Sequence, residues 1–192
     1  MQRRHLWLGI LLGALTGCVT TPAGPPEEVA PKIAAALDSG NSKEAEQLFT
    51  ASASEKEGSD QLYPLLYEEA HTRYKKGDSE SSARLLKFMS GHYPRALAVR
   101  EALVCALFLE RAGKDAADPE LLKTIDAAAQ ELRKSAAPPP WLGLVEAQVA
   151  IDRGEPAAAR DAFASFKKSW DGRPPELAIY VDDIDRYLSS HP

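Results

Sequence analysis

A glycine turn recurs along this chain at intervals that no single helix can accommodate. Gly40, Gly77, Gly113 and Gly154 lie 37, 36 and 41 residues apart. Gly40 is followed by Ala45 and Phe49, and Gly154 by Ala159 and Phe163, at identical spacing. The second copy places Ser82 and Leu86 in those two slots. Glycine ends a helix by entering the left-handed region without steric cost. Asn41 and Asp78, each next to its glycine, can accept hydrogen bonds from the first amides of the following helix. A small residue then lets two helices approach closely, and a large one fills the seam. The turn at Gly113 is degenerate. The longer interval after it predicts an insertion around 114–120, beyond which Ile125 and Ala129 lie 34 residues before Ala159 and Phe163.

The segments between these turns read as helix. Ala, Leu, Glu, Lys and Arg dominate, and β-branched residues are sparse. Apolar residues recur three and four apart, as in Leu62, Leu65, Leu66 and Ala70, and again in Leu121, Leu122, Ile125, Ala129 and Leu132. The expected helices are 27–38, 42–53, 59–76, 79–92, 95–112, 118–134, 141–153, 156–169 and 175–189. Breaks fall at Ala136-Ala137-Pro138-Pro139-Pro140 and at Asp171-Gly172-Arg173-Pro174-Pro175. An ordinary all-α bundle with glycine turns is the competing architecture.

The repeat resembles the tetratricopeptide (TPR) unit of about 34 residues. Ala70 and Ala147 match the family's small position in its first helix, Pro94 its closing proline, and Trp141 stands near the start of the last first helix. Ser82 in place of the usual Ala, Arg73 in a common aromatic slot and the irregular third unit depart from it. The resemblance covers about residues 27–169. It implies an all-α fold, a right-handed α-solenoid of about four TPR-like units, with 175–189 as a capping helix. It also implies a concave groove lined by the first helices, able to hold a peptide. The groove positions would be Tyr67, His71, Tyr74 and Lys75 in the second unit. In the third they would be Leu103, Leu107, Glu110 and Arg111, and in the fourth Leu144, Gln148, Ile151 and Asp152. Tyr67 and Tyr74 are seven residues apart on one helical face, with His71 between them.

The N-terminus carries a second signal. Arg3 and Arg4 precede an apolar run from Leu6 to Leu15, which leads into Leu15-Thr16-Gly17-Cys18. This run is about half the length that a spanning helix needs. A basic n-region, a short h-region and small residues at the cut site read as an export signal. The cysteine there resembles the lipobox of bacterial lipoproteins, which implies cleavage before Cys18 and a lipid on that residue. Val19 leans toward the outer membrane. The expected organisation is a signal peptide over 1–17, a lipidated cysteine and proline-rich tether over 18–26, and a helical domain over 27–192. Loss of Arg3 and Arg4 with the signal takes the net charge from −5 to −7. An acidic module with no basic run is a poor candidate for nucleic acid.

Little in the chain reads as catalysis. Of the four histidines, His5 leaves with the signal and His191 sits at the C-terminal end, while His71 and His92 have no nearby Cys or second His at zinc spacing. Asp182, Asp183 and Asp185 read as a solvated helix face. Glu68 and Glu69 beside His71 could be drawn as an acid/base set, but one polar face of an amphipathic helix is the simpler reading. With Cys18 lipidated, Cys105 has no partner for a disulfide, and its apolar surroundings suit a buried small residue. The expectation is a non-catalytic, periplasm-facing lipoprotein without metal or cofactor, anchored in the outer membrane of a Gram-negative bacterium. It would act as a scaffold or adaptor that binds an envelope protein or peptide, in secretion, pilus or outer-membrane biogenesis. The alternative is a ligand-binding transport accessory or a regulator of a cell-wall enzyme, which predicts a deep apolar pocket in place of an open polar groove.

Overall fold

A computed structural model describes residues 24–53, 56–116, 118–173 and 175–190. The described residues are all-helical. They form α1 (Pro26–Asp38), α2 (Ser42–Ser52), α3 (Lys56–Lys75), α4 (Ser79–His92) and α5 (Leu97–Ala112). After these come α6 (Pro119–Arg133), α7 (Leu142–Asp152), α8 (Pro156–Ser169), a 3-10 turn (Pro175–Leu177) and α9 (Ile179–Ser190). The first helix starts inside the expected tether, with Pro26 in its first turn. A proline costs nothing there, because that amide has no partner within the helix.

Three of the turns share one geometry. Gly40, Gly77 and Gly154 have φ of 76°, 81° and 74°. Gly40 N–H donates to Leu37 O at 3.1 Å, and Asn41 N–H donates to Ala36 O at 2.8 Å. The same two bonds recur as Gly77 to Tyr74 and Asp78 to Arg73, both at 3.0 Å, and as Gly154 to Ile151 at 2.9 Å and Glu155 to Ala150 at 2.8 Å. This is the Schellman arrangement, which gives donors to carbonyls left open at a helix end. The next residue then starts the partner helix. Asn41 Oδ1 accepts from Glu44 N–H at 3.2 Å, and Asp78 Oδ1 accepts from Ser81 N–H at 3.1 Å. The Ser81 amide holds the Asp78 carboxyl below its usual range.

The turn at Gly113 differs. Its φ is −79°, so it is not a left-handed cap, and the expectation of glycine-hinged equivalence fails there. Residues 114–116 are irregular, and Asp118 caps α6, accepting from Glu120 N–H at 3.0 Å, with Pro119 in the first turn. The insertion expected around 114–120 overlaps this stretch, but Pro119 and Glu120 already belong to α6.

Helices pack in order along the chain: α1 on α2, α3 on α4, α5 on α6 and α7 on α8. Between pairs, α1 packs on α3, α4 on α5 and α6 on α7. Ala45, Ser82 and Ala159 are fully buried, and Phe49, Leu86 and Phe163 are buried beside them. In the third pair Ile125 and Ala129 are buried with large and small exchanged. Ser82 tolerates an apolar site because its Oγ donates to Ala70 O at 2.9 Å in the facing helix. α9 closes the last pair, with Leu177 and Ile184 buried and Lys167 Nζ 3.0 Å from Asp185.

α7 comes close to α8 at Gly143. A Cβ there would lie 2.8 Å from Ala162 O and 3.0 Å from Phe166 Cβ in α8. Gly143→Ala gains helix propensity, yet it should destabilise the protein by about 1–3 kcal/mol, because one of two packed helices has to move. Urea denaturation followed by circular dichroism measures this; a variant as stable as the parent would contradict the packing described.

Candidate functional site

The C-terminal half of α3 places Tyr67, His71 and Tyr74 along one stripe, as residues three and four apart must lie. All three line a cleft of about 560 Å³. Facing them, α5 supplies Glu101, Ala102 and Cys105, and α4 supplies Leu86. The segment before α7 adds Pro139, Pro140 and Trp141, and the segment after α8 adds Asp171 and Arg173. The cleft is thus assembled from elements far apart in sequence.

Its chemistry is aromatic with few charges. The Tyr67 ring stacks on Tyr63 at 6.1 Å and 8°, and His71 stacks on Tyr74 at 6.3 Å and 12°. Burial pushes the Tyr67 hydroxyl above its usual pKa, and the neighbouring Tyr63, Glu101 and Cys105 add to that. Burial also raises the Glu101 carboxyl. Such a surface offers rigid, amphipathic rings with little side-chain entropy to lose on binding.

Nine of the twelve side chains expected in a groove lie outside this cleft. Lys75 is exposed at the end of α3. Glu110 accepts from Lys114 Nζ at 2.8 Å. Arg111 donates from Nε and Nη2 to the two Asp152 carboxylate oxygens at 2.7 and 2.6 Å, and Gln148 Nε2 reaches Asp152 Oδ1 at 3.1 Å. Arg111 and Asp152 side chains are only 14% and 6% exposed, and their pairing ties α5 to α7. Leu103, Leu107 and Leu144 are buried in the core. The α5 residues that do face the cleft, Glu101, Ala102 and Cys105, occupy a different stripe. The expected positions lie ten, six, three and two residues before each glycine; that register reaches the cleft before Gly77 but not before Gly113 or Gly154.

The other candidate groups are engaged elsewhere. Glu69 Oε1 accepts from Arg73 Nε at 2.8 Å, and Arg73 Nη1 donates to Asp38 at 2.7 Å. The Arg73 side chain thereby bridges α3 to α1. His92 stacks on Phe49 at 3.9 Å and lies 3.2 Å from Glu46. Asp183 and Asp185 pair with Arg186 and Lys167. Among the described residues no group of three or more His, Cys, Asp and Glu could hold a metal ion, and no helix is long and apolar enough to cross a membrane. Cys18, His5 and His191 lie outside the described residues.

Comparison of the chain with protein-family models, with curated proteins and with solved structures finds no match.

The Arg111–Asp152 pair gives a test of what joins α5 to α7. Asp152→Ala leaves a mostly buried guanidinium without its counter-ion and should cost about 3 kcal/mol. Replacing both residues, as Arg111→Met with Asp152→Leu, should cost clearly less than Asp152→Ala alone. Chemical denaturation of the single and double variants measures both; equal losses would contradict a coupled pair.

Proposed function

We propose that this chain is a periplasm-facing lipoprotein of the outer membrane that binds an envelope protein through the aromatic cleft between α3 and α5. In this reading Cys18 carries the lipid, residues 19–25 hold the domain off the bilayer, and the helix pairs stack as a right-handed, TPR-like α-solenoid of about four units with α9 as its cap. The role is that of a non-catalytic scaffold or adaptor. The cleft carries the proposal: Tyr67, His71 and Tyr74 are assembled with Trp141 around one concavity large enough for several side chains. Tyr and Trp are the residues most enriched at energetic centres of interfaces. The repeated capped turns at Gly40, Gly77 and Gly154 support the solenoid. Engagement of Glu69, His92 and Asp152 with other side chains of this protein supports a non-catalytic role.

The cleft also favours a second reading, a ligand-binding accessory or a regulator of a cell-wall enzyme. A volume of about 560 Å³ falls within the range of small-molecule pockets, about 300–1,000 Å³.

Two experiments test the proposal. Cys18→Ala should move the protein from the membrane fraction to the soluble periplasmic fraction; unchanged membrane association would reject the lipid anchor. Affinity capture with the wild-type protein should retain one prominent envelope partner that the Tyr67→Ala/Tyr74→Ala variant loses, with circular dichroism showing that the variant is folded. An identical partner profile would reject the cleft as the binding face.

A further inference from the structure

Charge along the cleft does not balance. Arg173 stands at its rim, but its guanidinium is held by Asp171 at 2.6 and 3.0 Å. Glu101, on α5, is only partly exposed, and no described side chain pairs with its carboxylate. With Arg173 and Asp171 paired to each other, Glu101 is the one carboxylate of the lining that no side-chain cation holds. A carboxylate withdrawn from water without a counter-ion is unfavourable, and a cation arriving beside it relieves that. The raised Glu101 carboxyl agrees with a charge that has lost solvent and gained no partner.

The walls suit the same occupant. Tyr67, Tyr74 and the largely buried Trp141 line the cleft with aromatic rings, and such rings attract ammonium and guanidinium groups. Leu86 and Ala102 offer apolar contact for the aliphatic stem that carries such a group. The chain as a whole is acidic, at −5, so its field draws a basic partner.

We propose that the cleft receives an arginine or lysine side chain of a partner protein, with Glu101 as its counter-ion and Tyr67, Tyr74 and Trp141 as its aromatic walls. This rests on the partner-binding reading above and names the chemistry the partner must present. Tryptophan fluorescence of the full-length protein in detergent reads occupancy, since Trp141 lines the site. The probes are acetyl-Leu-Arg-Leu-amide, its lysine and glutamine analogues, and agmatine. The arginine and lysine peptides should bind saturably, the glutamine peptide about ten-fold more weakly, and Glu101→Gln should weaken the arginine peptide about ten-fold. Equal binding of the glutamine peptide, an unchanged affinity in Glu101→Gln, or no saturable binding of either basic peptide would overturn the proposal. Agmatine binding as tightly as the arginine peptide would overturn it too, by assigning the site to a free organic cation. The two readings separate in the affinity capture. If Glu101→Gln keeps the partner while Tyr67→Ala/Tyr74→Ala loses it, the cationic occupant falls and the binding face stands. If both variants keep the partner, the binding face itself falls.

Discussion

At Gly40, Gly77 and Gly154 the backbone passes through positive φ, and two carbonyls at the end of the preceding helix receive their donors. A side chain at those positions would strain the turn, while the space around each glycine is open. The requirement is therefore conformational and not one of packing. It fixes where one helix stops and the direction in which the next leaves. Given that direction, the residue five positions on faces the preceding helix. Ala45, Ser82 and Ala159 all occupy that place, fully buried. Close approach of the two helices follows from their size, and burial of Phe49, Leu86 and Phe163 follows from the approach.

Most of the helices could be read in the sequence because glycine, asparagine, aspartate and proline act locally. Asn41 and Asp78 cap the helices whose starts they mark, and Pro156 and Pro119 stand in first turns where a proline is harmless. Boundaries moved where tertiary contacts decided them. α5 starts at Leu97, two residues later than expected, because Tyr93 turns back. Its hydroxyl donates to Ser59 O at 2.8 Å and its ring meets Tyr63 edge-on at 5.0 Å. Gly113 was misleading for a related reason. A glycine after a helix permits the left-handed cap but does not require it, and here the chain leaves through an irregular stretch.

The cleft was legible in the sequence only on α3. Tyr67, His71 and Tyr74 belong to one helix, so their spacing alone places them together. Their companions come from α5, about 30 residues downstream, and from the segments around Trp141 and Arg173, about 70 to 100 residues downstream. No local signal in the sequence relates Glu101 to Tyr67. The polar residues extrapolated to later units, Arg111, Gln148 and Asp152, turn inward because opposite charges on neighbouring helices satisfy each other. Partly buried ion pairs of this kind recur between pairs, as Arg73 with Asp38 and Arg111 with Asp152. They join helices at the ends where the apolar seam gives out.

The role of the three left-handed turns is measured most directly by a glycine-to-alanine series at Gly40, Gly77, Gly113 and Gly154, followed by urea denaturation. The first, second and fourth substitutions should each cost about 1–2 kcal/mol, the penalty of a Cβ in the left-handed region. Gly113→Ala should leave stability unchanged or raise it by about 0.4–1 kcal/mol, since its backbone already suits alanine. Losses of similar size at all four positions, or none at Gly40, Gly77 and Gly154, would contradict the dependence of the helix pairs on these turns.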